Sequence, residues 1–258
     1  MNRQIDLALV GGTGLYRFPG LEDVQRHAVD TPYGHPSDSV VAGRIGTRRV
    51  AFLARHGESH TIPPHRVNYR ANVWALHHLG ARRVIGVNAV GGIRDDMGPR
   101  VVVVPDQIID YTHERLTSFC DVAGAEVRHI DFSEPYSAGL RARICTAAAS
   151  AGVAVVDGGC YGATQGPRLE TRAEIARMRR DGCDLVGMTG MPEAALAREL
   201  ELEYACIALV ANWAAGCGDQ AEISLPEIYA NLEAATACVP RIVAALLAAD
   251  TGAASGAT

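Results

Sequence analysis

The sequence predicts an α/β fold built as one globular domain. Short apolar runs bounded by glycine alternate with stretches of helical spacing, the pattern of strands in one sheet joined by helices packed on it. At 258 residues with 48% hydrophobic side chains, the chain is long enough to bury a sizeable core. The apolar runs also end on polar or glycine-rich groups such as GGTG, ARHG and MTGM. In open α/β sheets ligands bind beyond the carboxyl ends of the strands, so these ends are where chemistry is expected.

Strand-like runs occur, in order, at IDLALVGG (5–12), DSVVAGRI (38–45), RRVAFLARHG (48–57), RRVIGVNAVGG (82–92), RVVVVPDQIID (100–110), VAVVDGGCYGAT (153–164), CDLVGMTG (183–190) and YACIALVAN (204–212). Between them, HRVNYRANVWALHHLG (65–80) places Val67, Ala71, Val73, Trp74 and Leu76 mostly on one helical face, with Gly80 as the stop. ETRAEIARMRRDG (170–182) runs from acidic to basic and ends on Gly182, which suits the helix dipole at both ends. PEAALAREL begins with Pro192 at an expected first helical position. A long helix follows over 225–249, with a kink expected at Pro240. The tail DTGAASGAT is small and polar and is expected to be disordered, which sets the domain at 1–249 and the tail at 250–258.

Composition excludes several classes. A net charge of -5 with nine scattered histidines gives no footprint for nucleic acid or for a membrane surface. The N-terminus lacks the parts of a signal peptide, and no apolar run is read as reaching the length of a membrane span. Seven cysteines form an odd set without a C-x-x-C pair or clustering with histidine, as expected of reduced thiols in a cytoplasmic protein without a metal.

Three strand ends suit a small oxyanion. In GGTGLY the glycines let backbone N–H groups approach an anion and Thr13 adds a hydroxyl, although the motif alone reads equally as a tight turn. Its spacing is not that of the dinucleotide fingerprint G-x-G-x-x-G. Arg55 and His56 follow an apolar run and offer a planar fork and one further donor. Thr189 precedes a helix N-terminus, which favours negative charge. None of these carries the G-x-x-x-x-G-K of a nucleotide triphosphate loop, so free phosphate is the expected anion. Glu174 reads as a first-turn carboxylate, whereas Glu170 follows a Gly-Pro turn on the side where the other candidates gather.

GGTGLY, ARHGESHTIPPHRVNYRANVWAL, NAVGGIRDD, PDQIID, GPRLETRAEI and DLVGMTGMPEAALARE, in that order, resemble the trimeric purine nucleoside phosphorylase and methylthioadenosine phosphorylase family. The resemblance runs from about Asp6 to the last helix and implies a central mixed, twisted β-sheet flanked by helices. It implies phosphorolysis, in which inorganic phosphate is co-substrate, no cofactor is needed and a purine leaves the ribose. By position it implies phosphate contacts at Thr13, Arg55, His56, Asn88, Ala89 and Thr189, and ribose packing at Met188. Leu169, Glu170, Asn212 and Ala214 fall at the base and His60 beside the nucleoside, while His129 would reach the site of a neighbour in a homotrimer. Two departures stand out: Glu58 where the family often has Arg or Lys, and Leu169 where a phenylalanine usually stacks on the base.

Asn212 closes an otherwise apolar strand, and within the family's chemistry its amide has a specific meaning. A 6-oxopurine offers N7–H to an acceptor and O6 to a donor, and an amide supplies both at once, whereas a carboxylate would repel O6. Glu170 could accept the N1–H that hypoxanthine has and adenine lacks. Ile223 and Leu225, read either as core packing or as an aliphatic 5′ pocket, favour a methylthio group over a hydroxyl. The expected reaction is phosphorolysis of S-methyl-5′-thioinosine. The alternatives are a 6-oxopurine nucleoside phosphorylase acting on inosine or guanosine, a methylthioadenosine phosphorylase, and a binding protein that uses the same pocket without turnover.

Overall fold

The computed structural model describes residues 4–121, 124, 126–218 and 224–254, the last four of these by backbone alone. Among them eleven strands form one mixed sheet. Its centre is β5 (Arg83–Gly92), a long strand of buried, mostly branched or small residues. One edge of β5 pairs in parallel with β11 (Glu203–Trp213) along its whole length. The other edge pairs with β1 (Leu7–Gly11) over Val84–Val87 and, where β1 has ended, with β10 (Leu185–Gly187) at Gly91 and Gly92. Outward from β1 lie β4 (Arg48–Ala54), β3 (Val40–Ile45) and β2 (Glu22–His27). Outward from β10 lie β9 (Cys160–Ala163) and β7 (Gln107–Asp110), and outward from β11 lie β6 (Val102–Val104) and β8 (Val156–Asp157).

Helices cover both faces. β11 alternates between two apolar layers: Tyr204, Cys206, Ala208 and Val210 face one, and Ala205, Ile207, Leu209 and Ala211 face the other. The first layer is closed by α1 (Tyr69–His78) and α4 (Glu193–Glu199). The second is closed by α2 (Ala138–Ser150), α5 (Leu225–Thr236) and α6 (Val239–Ala254). The remaining helix, α3 (Arg172–Arg180), starts at a reciprocal capping box in which Thr171 and Glu174 satisfy each other's backbone N–H, so Glu174 has the structural role expected of it.

Several expectations require correction. β2 was not predicted, because an edge strand exposed on both faces carries no apolar alternation to detect. The run 100–110 divides at Pro105, and 153–164 divides at Gly158 and Gly159, both at positive φ, into two short strands each. α2 is alanine-rich and has little apolar periodicity to betray it. Pro192 caps α4 and stands one residue before its first turn. The predicted C-terminal helix is two helices separated at Ala237–Cys238, just before Pro240. α6 continues through Ala254, and Asp250, expected in a disordered tail, bonds Arg83 Nη1 at 2.6 Å and pairs with Arg143. Leu225–Asp250 is also long and apolar enough to cross a membrane by length and composition, contrary to the reading of the sequence. Within it Leu232, Val239, Ile242, Val243 and Leu246 are buried in the second layer, while Leu225 and Tyr229 are exposed.

Beneath the carboxyl ends of the strands sits a buried ion pair. Arg55, one residue past β4, and Glu193, the first residue of α4, are both fully inaccessible and bond in the fork-to-fork manner, Nε to Oε2 at 2.8 Å and Nη2 to Oε1 at 2.9 Å. Tyr204 Oη donates to the same Oε1 at 2.8 Å. A Cβ on Gly86 would lie 2.3 Å from that hydroxyl, so β5 must carry glycine there. Burial opposes the charge on Arg55, but the Glu193 carboxylate outweighs it and holds the guanidinium protonated above its ordinary range.

Glu193→Gln leaves a buried guanidinium without its counter-charge and is expected to destabilise the fold by roughly 3–5 kcal/mol, read as a lower urea midpoint. Asp250→Ala removes two pairs near the surface and is expected to cost about 1 kcal/mol, lowering Tm by about 2–4 °C.

Candidate active site

Where β1 ends and β5 continues, the sheet opens and a cavity of about 560 Å³ lies over the strand ends. Its lining comes from the ends of β1, β4, β5, β10 and β11, the loops after β4, β9 and β10, and α5. This is the topological position at which α/β sheets bind ligands.

Part of the cavity lining is anion-friendly. Thr13, His56, Ala89 and Thr189 belong to it, and Thr189 is almost buried. Arg55 reaches it edge-on only. Its Nε and Nη2 are engaged by Glu193 and Asn88 Oδ1, and Nη1 donates to Val87 O at 3.1 Å. One N–H on Nη1 remains, beside Gly12, where a Cβ would approach Nη1 to 2.8 Å. The fork that the sequence assigned to phosphate therefore bonds Glu193, and Arg55, with no accessible side-chain surface, offers the cavity a fixed positive charge. Asn88 is likewise behind the wall, fully buried, clamping Arg55 and donating to Tyr161 Oη at 3.4 Å, while its neighbour Ala89 faces the cavity.

His56 is nearly buried, and its Nδ1 lies 2.8 Å from Ile62 O. A carbonyl can only accept, so Nδ1 carries the proton and Nε2 presents a lone pair. Burial and then the charge of Arg55 push its pKa down to about 4, which keeps the ring neutral at pH 7. His60 lines the cavity, with its ring centroid 4.9 Å from that of His56. Glu58 is outside the cavity lining. Hydrogen bonds from Arg26 and Arg17 hold its carboxyl below the usual range, and its own backbone N–H donates to Asp38 at 2.8 Å. The anion that replaced a family cation is thus compensated by two arginines nearby.

The same lining carries the amide and carboxylate singled out in the sequence. β11 has a bulge at Ala211: Val210 pairs with Val90, and Asn212 with Gly91. The extra residue breaks the alternation that would have sent Asn212 into the apolar layer of Val210, and the amide lines the cavity. The bulge carbonyl, Ala211 O, is satisfied from α5 by Asn231 Nδ2 at 2.9 Å. Asn212 Nδ2 donates one hydrogen to Trp213 O at 2.6 Å, which leaves its second hydrogen and Oδ1 for a ligand. Glu170 lies two residues before α3. Its Oε1 accepts from Thr164 Oγ1 at 2.6 Å, with Oε2 unpartnered among the described residues. Leu169, 42% exposed, Ala214 and Met188 also line the cavity.

The remaining wall is an apolar stripe of α5: Leu225, Ile228, Tyr229 and Leu232 recur at helical spacing and all face the cavity. The sequence had singled out only Leu225 of these. Ile223 falls outside the described residues. His129 is exposed in an irregular segment and does not line this chain's cavity. Glu193, Thr164 and Asn231 were missed altogether. Each is a polar residue within or beside an unremarkable helical or strand pattern, and only its tertiary partner distinguishes it. Among the described residues no group of three or more His, Cys, Asp or Glu is placed to hold a metal ion.

A family model described as the phosphorylase superfamily matches residues 6–248. A protein of Xanthomonas campestris pv. campestris named probable S-methyl-5′-thioinosine phosphorylase is 60% identical over 245 residues, which are 95% of this chain and 98% of that one. The 6-oxopurine nucleoside phosphorylase of Pyrococcus furiosus is 48% identical, covering 81% of this chain and 80% of its own. The structure of methylthioadenosine phosphorylase from Schistosoma mansoni in complex with adenine superposes with a TM-score of 0.91 at 30% identity, over 96% of this chain and 93% of that one. By sequence over nearly its whole length and by fold, the chain belongs to the phosphorylase superfamily.

Proposed function

We propose that this enzyme cleaves S-methyl-5′-thioinosine with inorganic phosphate, yielding hypoxanthine and 5-methylthioribose 1-phosphate. The observation that carries the reading is one cavity whose lining combines an amide, a carboxylate with an open oxygen, a set of oxyanion-friendly groups and an aliphatic helix face. The relatives named for methylthioinosine and for 6-oxopurine nucleosides support it.

In this reading phosphate lies among Thr13, the Ala89 backbone and Thr189. Arg55 supplies fixed charge, and His56 Nε2 accepts the proton of the hydrogen phosphate. A phosphate oxygen attacks C1′ as the bond from C1′ to N9 breaks, and the bond's electron pair passes to the purine ring. The purine gains a proton at N7, so that in net terms the proton of hydrogen phosphate ends on the base. Asn212 Oδ1 accepts from N7–H while Nδ2 donates to O6, and Glu170 Oε2 accepts from N1–H. These contacts oppose charge that exists only near the transition state and therefore act on the rate. The nucleophile is the phosphate itself, held at the anomeric carbon, so the protein's part is orientation and electrostatics. Leu225, Ile228 and Leu232 surround the methylthio group. No metal or organic cofactor takes part.

We further propose a cytoplasmic homotrimer, in which His129 reaches a neighbouring site. One observation favours a second substrate: His60 in the cavity could bond a 5′-hydroxyl, which would turn preference toward inosine.

Initial rates of base release on methylthioinosine, methylthioadenosine and inosine, with and without phosphate, are expected to show an absolute phosphate requirement and methylthioinosine fastest. Inosine fastest would establish the second reading, and methylthioadenosine fastest would refute the base assignment. Asn212→Asp is expected to slow methylthioinosine cleavage about a hundredfold or more, while sparing or improving methylthioadenosine, measured as the ratio of kcat/KM values.

A further inference from the structure

Arg115 lies outside the cavity lining, in the irregular segment after β7, and is half-buried. Among the described residues it has no carboxylate partner. Its Nη1 and Nη2 groups donate to the backbone of two loops, each of which carries residues of the proposed site, and Nη1 also lies 3.3 Å from Tyr69 Oη. Nη2 donates to Thr164 O at 3.2 Å and to Gln165 O at 2.9 Å, in the loop after β9 that leads to Leu169 and Glu170. Nη1 donates to Met188 O at 2.9 Å and to Met191 O at 2.5 Å, in the loop after β10 that contains Thr189. Nε bonds the Gln165 side chain at 3.1 Å, and the guanidinium lies over the Tyr69 ring, 5.4 Å from its centroid.

The geometry is that of a staple. A planar fork can satisfy four carbonyls of two separate loops at once, whereas an ammonium presents three donors from a single point. Carbonyl direction also sets amide direction, because each peptide is planar and trans. Holding Met188 O toward Arg115 turns the N–H of Thr189 away from it. The Thr164 side chain extends the hold to the base, since Oγ1 donates to Glu170 Oε1 at 2.6 Å.

We propose that Arg115 is a positioning residue for substrate recognition: it fixes the loops after β9 and β10 relative to each other and, through Thr164, aims the Glu170 carboxylate at the base. This rests on the substrate reading given above. It acts without touching substrate, and its effect falls mainly on the nucleoside: of the phosphate contacts only Thr189 lies on a stapled loop, while Thr13, His56 and Ala89 lie on other elements.

The test uses full-length Arg115→Lys and Thr164→Val, with folding checked by circular dichroism and Tm, and with KM and kcat measured for methylthioinosine, methylthioadenosine and phosphate. In folded Arg115→Lys, KM for methylthioinosine is expected to rise and its kcat/KM advantage over methylthioadenosine to fall by roughly tenfold to a hundredfold, with a smaller rise in KM for phosphate through Thr189 alone. Thr164→Val keeps shape and removes only the hydroxyl, and is expected to lose the same advantage. A purely structural arginine would lower both substrates together, in proportion to folded enzyme, and leave the ratio and KM values as they were. That result in Arg115→Lys, or an unaltered ratio in Thr164→Val should the lysine variant not fold, overturns the proposal. A wild-type enzyme with no preference for methylthioinosine would refute the substrate reading instead, and the rise in nucleoside KM would still decide the staple.

Discussion

The bonded pair of Arg55 and Glu193 is the constraint around which the site is organised. Two opposite charges with no solvent access are tolerable only when their hydrogen bonds are complete, and here they are completed from three directions: Tyr204 on β11, Asn88 and Val87 on β5, and each other. Completing them pins the end of β4, the middle of β5 and the first residue of α4 into one arrangement. The glycines at 12 and 86 follow from it, since a side chain at either position would collide with the pair or with its partners. The cost of burying charge thus yields a positive potential fixed at the floor of the cavity, with almost no freedom to reorganise, which is the condition under which fixed dipoles act best on developing charge.

Around that floor the cavity exists because β5 outruns β1. Strands that end at different heights leave a gap that no side chain fills, and the helix α5 closes it with an aliphatic stripe. Placing a polar reader in such a gap requires a break in the alternation of β11, and the bulge at Ala211 supplies it. The two loops on the far side face a different problem, since neither has a strand partner beyond β9 and β10. A single guanidinium facing carbonyls of both takes the place of a ladder.

The site is accordingly a set of groups held by partners, three of which, Thr164, Asn231 and Glu193, do not line the cavity. Glu170 depends on Thr164, the bulge on Asn231, Arg55 on Glu193 and His56 on Ile62. In the last case the partner sets the chemistry outright: a carbonyl at Nδ1 decides that Nε2 is a lone pair, so the ring accepts where the sequence had suggested a donor.

The sequence by itself determined the α/β class, most strands and the residues at their polar ends, because apolar runs, glycine punctuation and end-of-strand polar groups are local signals. Thr13, His56, Glu170, Met188, Thr189 and Asn212 were legible in that way, and the cavity contains all six. What it did not contain was any sign of partnership. Arg55 looked like an open fork until the fold set Glu193, far along the chain, against it. β2 and α2 carried too little periodicity to be seen, and Asp250 looked like tail until Arg83 and Arg143 met it. The direction of the Asn212 amide hung on one residue of register against β5. Such facts belong to the tertiary structure because hydrogen bonds between distant segments, and the geometry in which charge is buried, have no counterpart in local pattern.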